Sequence, residues 1–149
     1  MAELRRPNEC GVPDSKTYMH PTLVKNYGQW AWHDRPRPGV LHHVADSGDQ
    51  VWTVKAGTQR QMDVFTIHKL CDIADEFCDG YIRFTIRSAV EFMTYDESKV
   101  EPLVARLEAE GFPVGGTGNS VAFVSHTQGW LHCDSPGTDA SGVVKALMD

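Results

Sequence analysis

The stretch YIRFTIRSAVEFMTY, residues 81–95, contains two short runs in which apolar and polar side chains alternate. A period of two is typical of β-strands that turn one face toward a protein core. In the first run one face is polar, with Tyr81, Arg83, Thr85 and Arg87. The other face is apolar, with Ile82, Phe84 and Ile86. The stretch therefore predicts two adjacent strands, the first of which presents arginines on the face away from the core.

The sequence before this stretch predicts a hairpin and a helix. VLHHVA (residues 40–45) and QVWTVK (residues 50–55) flank a turn cluster at residues 46–49, which is the pattern of a β-hairpin. Apolar residues then recur with a helical period over residues 64–78. Asp63 has the position of an N-cap for this helix, and Gly80 lies just beyond its end.

A second helix and a further strand follow the stretch. Ser98 and Glu101 have the spacing of a capping box, and Gly111 is the predicted stop. VAFVS, residues 121–125, predicts a strand. Counted from the second hairpin strand, the order is β-α-β-β-α-β, which predicts an α+β protein with a ferredoxin-like half-domain. A third helix is predicted to begin near the end of the sequence, with Thr138 or Asp139 as its cap.

These elements divide the chain into three predicted parts. Residues 1–39 contain five prolines and no sustained period, which predicts an extended N-terminal arm with one helical turn around residues 22–27. Residues 40–114 form the ferredoxin-like half-domain together with the hairpin that opens it. Residues 115–149 are the third part, which ends in the third helix without a C-cap signal.

Composition limits the class of protein. Hydrophobic residues make up 41% of the chain and charged residues 23%, which is ordinary globular usage. The net charge of -6 argues against a general nucleic-acid surface, because phosphate binding requires a basic excess. No apolar run has the length of a membrane span, and the first residues do not resemble a signal peptide. We therefore expect a cytoplasmic protein whose cysteines are reduced thiols or metal ligands rather than a disulfide framework.

The polar sheet face gathers positive charge. Lys55, Arg83 and Arg87 share it, and Arg60 follows shortly after the strand of Lys55. Such a face is either an ordinary solvated face of an antiparallel sheet or a platform for an anion. The loop PVGGTGNS, residues 113–120, also has two interpretations. Its glycines serve either a turn or a cradle of backbone N–H groups for an anion.

The four cysteines differ in their surroundings. Cys71 and Cys78 are predicted to be small buried residues of the first helix. Nothing further is predicted for Cys10. Cys133 stands in the polar, turn-rich stretch GWLHCDSP, where no second cysteine has a sensible spacing. Cys133 is therefore either inert or a ligand whose partners lie beyond residue 149.

Three segments together resemble a known family: VGGTGNS (114–120), SHTQGWLHCDSPGTDASGVVKALMD (125–149) and IRFTIRSAVEFM (82–93). They are similar to the beta subunits of the dissimilatory sulfite reductases, within the sirohaem and iron–sulfur sulfite and nitrite reductases. The resemblance runs from about His33 to the end and implies that the sequence is the N-terminal fragment of a longer subunit. It also implies that residues 115–149 begin a larger α+β domain, truncated here, that binds sirohaem and a 4Fe–4S cluster. HDRPRPGVLHHV and GTQRQMD look more like the reverse-operating type.

The resemblance implies an oxidoreductase and a set of site residues. The activity is the six-electron interconversion of sulfite and sulfide-level sulfur at a coupled sirohaem and 4Fe–4S centre. Cys133 corresponds to the first cluster ligand, and the remaining ligands follow beyond residue 149. Lys55 and Arg83 correspond to catalytic residues, although many relatives have arginine in place of Lys55. The residues implied in sirohaem binding are Arg60, Arg83, Thr85, Arg87, Gly118, Asn119, His126 and Thr127.

The resemblance also implies partners and leaves alternatives. It implies an α2β2 assembly with an alpha subunit, a small sulfur-carrier protein as partner and sulfite as substrate. One alternative is half of an assimilatory sulfite or nitrite reductase. Another is a ferredoxin-like anion-binding module without catalysis, which would use the arginine face to hold a small ligand.

Overall fold

The computed structural model describes residues 15–116 and 124–148. The strands are β1 (Trp30–Arg37), β2 (Val40–Ala45), β3 (Gln50–Gly57), β4 (Ile82–Phe84) and β5 (Ala89–Thr94). The helices are α1 (Pro21–Lys25), α2 (Val64–Phe77), α3 (Val100–Ala109) and α4 (Ala140–Met148). Turns of 3-10 helix lie at Ser15–Tyr18, Glu97–Lys99 and Gly129–Leu131. Within the described ranges, no helix combines the length and apolar composition needed to cross a bilayer.

The five strands form one antiparallel sheet in the order β1-β2-β3-β5-β4. The predicted hairpin is confirmed as β2 and β3. The run β3-α2-β4-β5-α3 has the predicted order, with β5 between β3 and β4. An α+β fold with a ferredoxin-like arrangement of these elements is therefore confirmed.

The outer edge of β3 is shared by two segments. β2 pairs with the first part of β3, from Gln50 to Val54. The chain after α3 pairs with the last part of β3. Val114 forms an antiparallel β-bridge with Ala56, and the Gly115 N–H donates to the Lys55 carbonyl at 3.2 Å. Residues 121–123 of the strand predicted at residues 121–125 lie outside the described residues, and residues 124 and 125 are not in a strand.

The hydrophobic core lies on one face of the sheet, under α2 and α3. From the sheet it receives Trp52, Val54, Ala56, Val90 and Phe92. From the helices and the chain after them it receives Leu70, Ile73, Ala74, Leu103, Leu107 and Phe112. The alternation in β3 therefore gives the predicted packing. All six residues of β5 are buried, which makes it the central strand of the half-domain.

The helix caps confirm one prediction and correct another. The Asp63 side chain accepts the Thr66 N–H at 2.7 Å and caps α2 as predicted. Ser98 and Glu101 do not form a capping box, because Asp96 accepts the Ser98 N–H at 2.9 Å and caps the turn before α3. Glu101 instead pairs with Arg37 of β1 at 2.7 Å.

The residues before the hairpin contribute more than the sequence predicted. The helical turn predicted around residues 22–27 is confirmed as α1. Buried Asn26 fixes its end, since the Asn26 amide donates to Asp49 at 2.7 Å and accepts from Ser47 at 2.6 Å. The strand β1 was not predicted. It is an edge strand with register shifts, which tolerates Pro36 because an outward N–H is not needed there.

Candidate functional site

A groove of about 620 Å³ lies between the chain after β3 and the chain before α4. Its wall contains Arg60, Ser125, His126, Thr127, Gln128, His132, Cys133 and Asp134. Four residues predicted for the site come together here, although Arg60 is far in sequence from His126, Thr127 and Cys133. The volume lies in the ordinary range of cofactor and ligand sites.

Arg60 ties the two walls of the groove. Its guanidinium donates to the carbonyl oxygen of His126. The His126 ring nitrogen Nδ1 lies 2.7 Å from the carbonyl oxygen of Thr127. Arg60 follows β3 directly, so the sheet places a permanent positive charge at this wall despite the acidic net charge of the chain.

Cys133 is partly buried and follows the 3-10 turn Gly129–Leu131. Its N–H donates to the Gly129 carbonyl at 3.1 Å. Gly129 has a φ of +55°, and a Cβ at this position would lie 2.9 Å from the backbone nitrogen of Ala140. Only glycine permits this approach, so the turn before Cys133 rests directly on the start of α4.

The start of α4 is itself fixed by a cap. The Asp139 carboxylate accepts the Gly142 N–H at 3.2 Å, which confirms one of the two predicted caps. The Ser141 hydroxyl lies 3.5 Å from the carbonyl oxygen of Gln128, its acceptor. The Ser141 contact and the close approach at Gly129 join the start of α4 to residues 128 and 129, so α4 supports the turn that precedes Cys133.

Lys55 and Arg83 lie on the face of the sheet opposite the hydrophobic core, and an acidic residue lies between them. Glu91 is opposite both residues in the register of β3, β5 and β4. Its Oε1 is 3.2 Å from Lys55 Nζ, and its Oε2 pairs with Arg83 Nη2. Glu91 is only 3% exposed. Sequence reasoning missed Glu91, although an acid within the apolar run AVEFM is an available signal.

The face around this cluster is largely buried, which does not fit the alternative of an ordinary solvated face. Val51, Thr53, Glu91 and Met93 are all buried on it. The backbone N–H of Gly115 serves β3, as described above, and is not part of an anion cradle.

Thr85 and Arg87 do not continue the face of Arg83, which corrects the prediction of a strand to residue 87. β4 ends at Phe84, and the chain reverses through residues 85–88. The Arg87 N–H donates to the Thr85 hydroxyl at 3.3 Å. The reversal also exposes Phe84 and leaves Ile86 91% exposed, whereas Ile82 packs on the core as predicted.

The reversal lies beside the end of β3. The Thr58 N–H donates to the Ser88 carbonyl at 3.0 Å. Thr85 and Arg87 are therefore at the same end of the sheet as Arg60, although they do not line the groove.

The other described cysteines have different environments from Cys133. Cys78 is buried as predicted, and burial raises the pKa of its thiol to about 12. Cys71 is exposed, so the prediction that it is buried is wrong. Its position on α2 points away from the face formed by Leu70, Ile73 and Ala74. Within residues 15–116 and 124–148, no three His, Cys, Asp or Glu side chains converge as a metal site.

His43 lies at the margin of the Lys55–Glu91–Arg83 cluster. Its Nδ1 is 2.7 Å from the Nδ1 of His33 on β1. Burial lowers the pKa of His43, and the neighbouring His33 and Arg83 lower it further. His42 faces the opposite side and stacks on Trp52. The two adjacent histidines thus point to opposite faces, as the strand period predicts.

Some predicted residues cannot be compared with the structure. Cys10, Gly118 and Asn119 lie outside the described residues. Their roles stay predictions.

Comparison with known proteins shows what this chain is similar to. Residues 43–110 match the nitrite/sulfite reductase ferredoxin-like half domain. The chain is 47% identical over 148 residues to the dissimilatory-type sulfite reductase subunit beta of Archaeoglobus fulgidus. Its identity to the subunit of the same name is 49% in Nitratidesulfovibrio vulgaris and 45% in Megalodesulfovibrio gigas.

These alignments cover 95–97% of the chain, which spans 40%, 40% and 58% of the length of the three relatives. Residues 43–110 are thus similar to the ferredoxin-like half domain of nitrite and sulfite reductases, and over nearly its whole length the chain is similar to dissimilatory-type sulfite reductase beta subunits.

Proposed function

We propose that the chain forms the sirohaem-facing and cluster-facing part of a dissimilatory-type sulfite reductase beta subunit, which interconverts sulfite and sulfide-level sulfur. The observation that carries the proposal is the groove in which Arg60, His126, Thr127 and Cys133 meet. The names of the three relatives support the activity. In this proposal residues 40–114 are the half-domain, and residues 115–149 begin the cofactor-binding domain.

The side chains of the groove fit an anionic macrocycle next to a cluster. Sirohaem carries carboxylates, and the Arg60 guanidinium supplies a charged, forked donor at the wall. Cys133 supplies a thiol at the same wall, the ligand type that iron–sulfur clusters require. When bound, the coupled centre supplies the electrons for the reaction. One thiolate does not hold such a cluster, so the remaining ligands would lie beyond residue 149.

The residues on the sheet would bind substrate and move protons. Arg83 is exposed enough to donate to a sulfite oxygen, and the Lys55 ammonium adds a second positive charge and a proton. Thr85 and Arg87 lie at the groove end of the sheet, where they would contact sirohaem carboxylates. Gly118 and Asn119 would add polar contacts from the loop that follows residue 116. These roles rest on the family resemblance.

The partners are part of the proposal. The relatives are named as beta subunits, which supports an alpha subunit in an α2β2 assembly. Several large apolar side chains are exposed and suit such contacts: Val64, Phe65, Ile86 and Trp130. The reverse-operating direction and the small sulfur-carrier protein rest on the sequence resemblance.

The proposal is tested by replacing cysteines one at a time in the intact enzyme. Cys133→Ser keeps the size of the side chain but replaces a soft thiolate with a poor iron ligand. We expect it to abolish the electron paramagnetic resonance signal of the coupled cluster and to reduce iron content and sulfite turnover. Cys71→Ser is the matched control, because Cys71 is exposed on α2 and lies outside the groove. An unchanged cluster signal in Cys133→Ser contradicts the proposal.

A further inference from the structure

Glu91 is placed where two positive side chains meet. It lies on the central strand β5, directly opposite Lys55 of β3 and Arg83 of β4. Each oxygen of its carboxylate takes one cation: Oε1 takes Lys55 at 3.2 Å, and Oε2 takes Arg83. Lys55 and Arg83 are thus held within reach of a single carboxyl group.

Burial of these charged groups costs free energy, because they lose their hydration. The side chain of Lys55 is 12% exposed, and Glu91 is 3% exposed. Desolvating such a pair costs several kcal/mol, and apolar residues often stabilise a sheet as well or better. The Arg83 side chain is 63% exposed, so this end of the cluster opens to solvent. A guanidinium carries five N–H donors, and one carboxylate oxygen does not occupy them all.

The charges of the cluster determine which anion it suits. Lys55 and Arg83 are positive and Glu91 is negative, so the cluster has one net positive charge. A singly charged oxyanion at Arg83 neutralises it, whereas a dianion leaves an excess negative charge beside a buried carboxylate. Charge interactions at contact distance are strong in such partly buried sites.

We infer that Glu91 is a positioning and specificity residue, which gathers Lys55 and Arg83 into one anchor and selects singly charged oxyanions, such as hydrogen sulfite, over dianions such as sulfate. This inference rests on the proposed function, because Lys55 and Arg83 bind substrate only in that proposal. Glu91 acts through its two neighbours and does not itself contact the anion.

The test measures the binding of two tetrahedral anions of different charge, sulfate and perchlorate, to the intact holoenzyme by calorimetry. Glu91→Gln keeps the shape of the side chain and removes its charge. We expect the ratio of sulfate affinity to perchlorate affinity to rise about tenfold. Glu101→Gln is the control, because Glu101 is an exposed acid paired with Arg37. It should leave the ratio unchanged, and an unchanged ratio in Glu91→Gln overturns the inference.

Two further variants keep the inference testable. Combining Lys55→Gln with Glu91→Gln restores one net positive charge and should return the ratio to that of the wild type. If Glu91→Gln does not fold, Glu91→Asp keeps the charge on a shorter side chain. It should weaken both anions while keeping the ratio, and a changed ratio contradicts the role of charge.

The two proposals fail in different measurements. The proposed function fails if the cluster signal survives Cys133→Ser. The inference about Glu91 fails if the anion ratio stays constant in an enzyme whose cluster signal does depend on Cys133.

Discussion

The sheet core and the segment that carries Cys133 bury their apolar side chains to very different extents. In the core, Leu70, Ile73 and Phe92 are fully enclosed between the sheet and its helices. In the segment from residue 124 to residue 148, Trp130, Leu131, Val143 and Leu147 are exposed. The core is thus held by apolar burial, whereas the segment is held by a cap, a glycine contact and the bond from Arg60.

The difference separates the source of stability from the source of chemistry. A scaffold that buries its own side chains folds with little help from other groups. A segment that exposes large apolar side chains is completed by what packs on it. We expect substitutions in the core to change the free energy of unfolding, and substitutions in the segment to change the retention of cofactor.

The largest effect is expected from the same substitution made in each region. Leu70→Ala removes a fully buried side chain and should lower the free energy of unfolding by about 3 kcal/mol, because a cavity remains. Leu131→Ala removes a side chain that is 61% exposed and should change it by less than about 0.5 kcal/mol. Denaturant titration measures both. Equal losses in the two variants would contradict the comparison.

A smaller effect is expected at the turn before Cys133. Gly129→Ala must adopt a φ of +55° and brings a Cβ to 2.9 Å from Ala140 N. The local cost is about 1–2 kcal/mol. Hydrogen exchange should accelerate over residues 129–133, and the iron content of the intact enzyme should fall, while the core melts as before. Gly137→Ala is the control, because nothing lies near its Cβ. Unchanged hydrogen exchange and iron content in Gly129→Ala would contradict the inference that α4 supports the turn before Cys133.

The smallest effect is expected from the titration of His43. Its pKa is lowered chiefly by burial. His33, Arg83 and His42 lower this pKa further, and Glu91 raises it. A lowered pKa means that the unfolded chain takes up the proton first. The contribution of neutral His43 to the free energy of unfolding is therefore fully present above pH 6.5, the ordinary pKa of histidine, and is lost as the pH falls through the folded-state pKa.

The measurement compares the free energy of unfolding between pH 8 and pH 5. His43→Gln should show a flatter profile than the wild type over this interval. Parallel profiles would show that His43 does not contribute to the acid sensitivity of the sheet.

Local patterns predicted the parts of the site that lie close together in the sequence. The helical period and Asp63 predicted α2, and the turn cluster at residues 46–49 predicted the hairpin. Cys133, His126 and Thr127 were identified within one continuous motif. The reversal at residues 85–88 was missed, because alternation continues through Thr85 and Arg87 in the sequence, whereas β4 ends at Phe84 and the Thr85 N–H already closes the turn by donating to the Ala89 carbonyl at 2.9 Å.

The sequence by itself determined the order β3-α2-β4-β5-α3 and the resemblance to sulfite reductase beta subunits, because periodicity, caps and motifs depend on residues near one another in the chain. Only the tertiary structure decided which charges meet. The register of β3, β5 and β4 places Glu91 between Lys55 and Arg83. The path of the chain after α3 brings Arg60 to His126. Both contacts join residues that are distant in sequence. Strand pairing and loop packing fix them, and local sequence patterns contain no information on either.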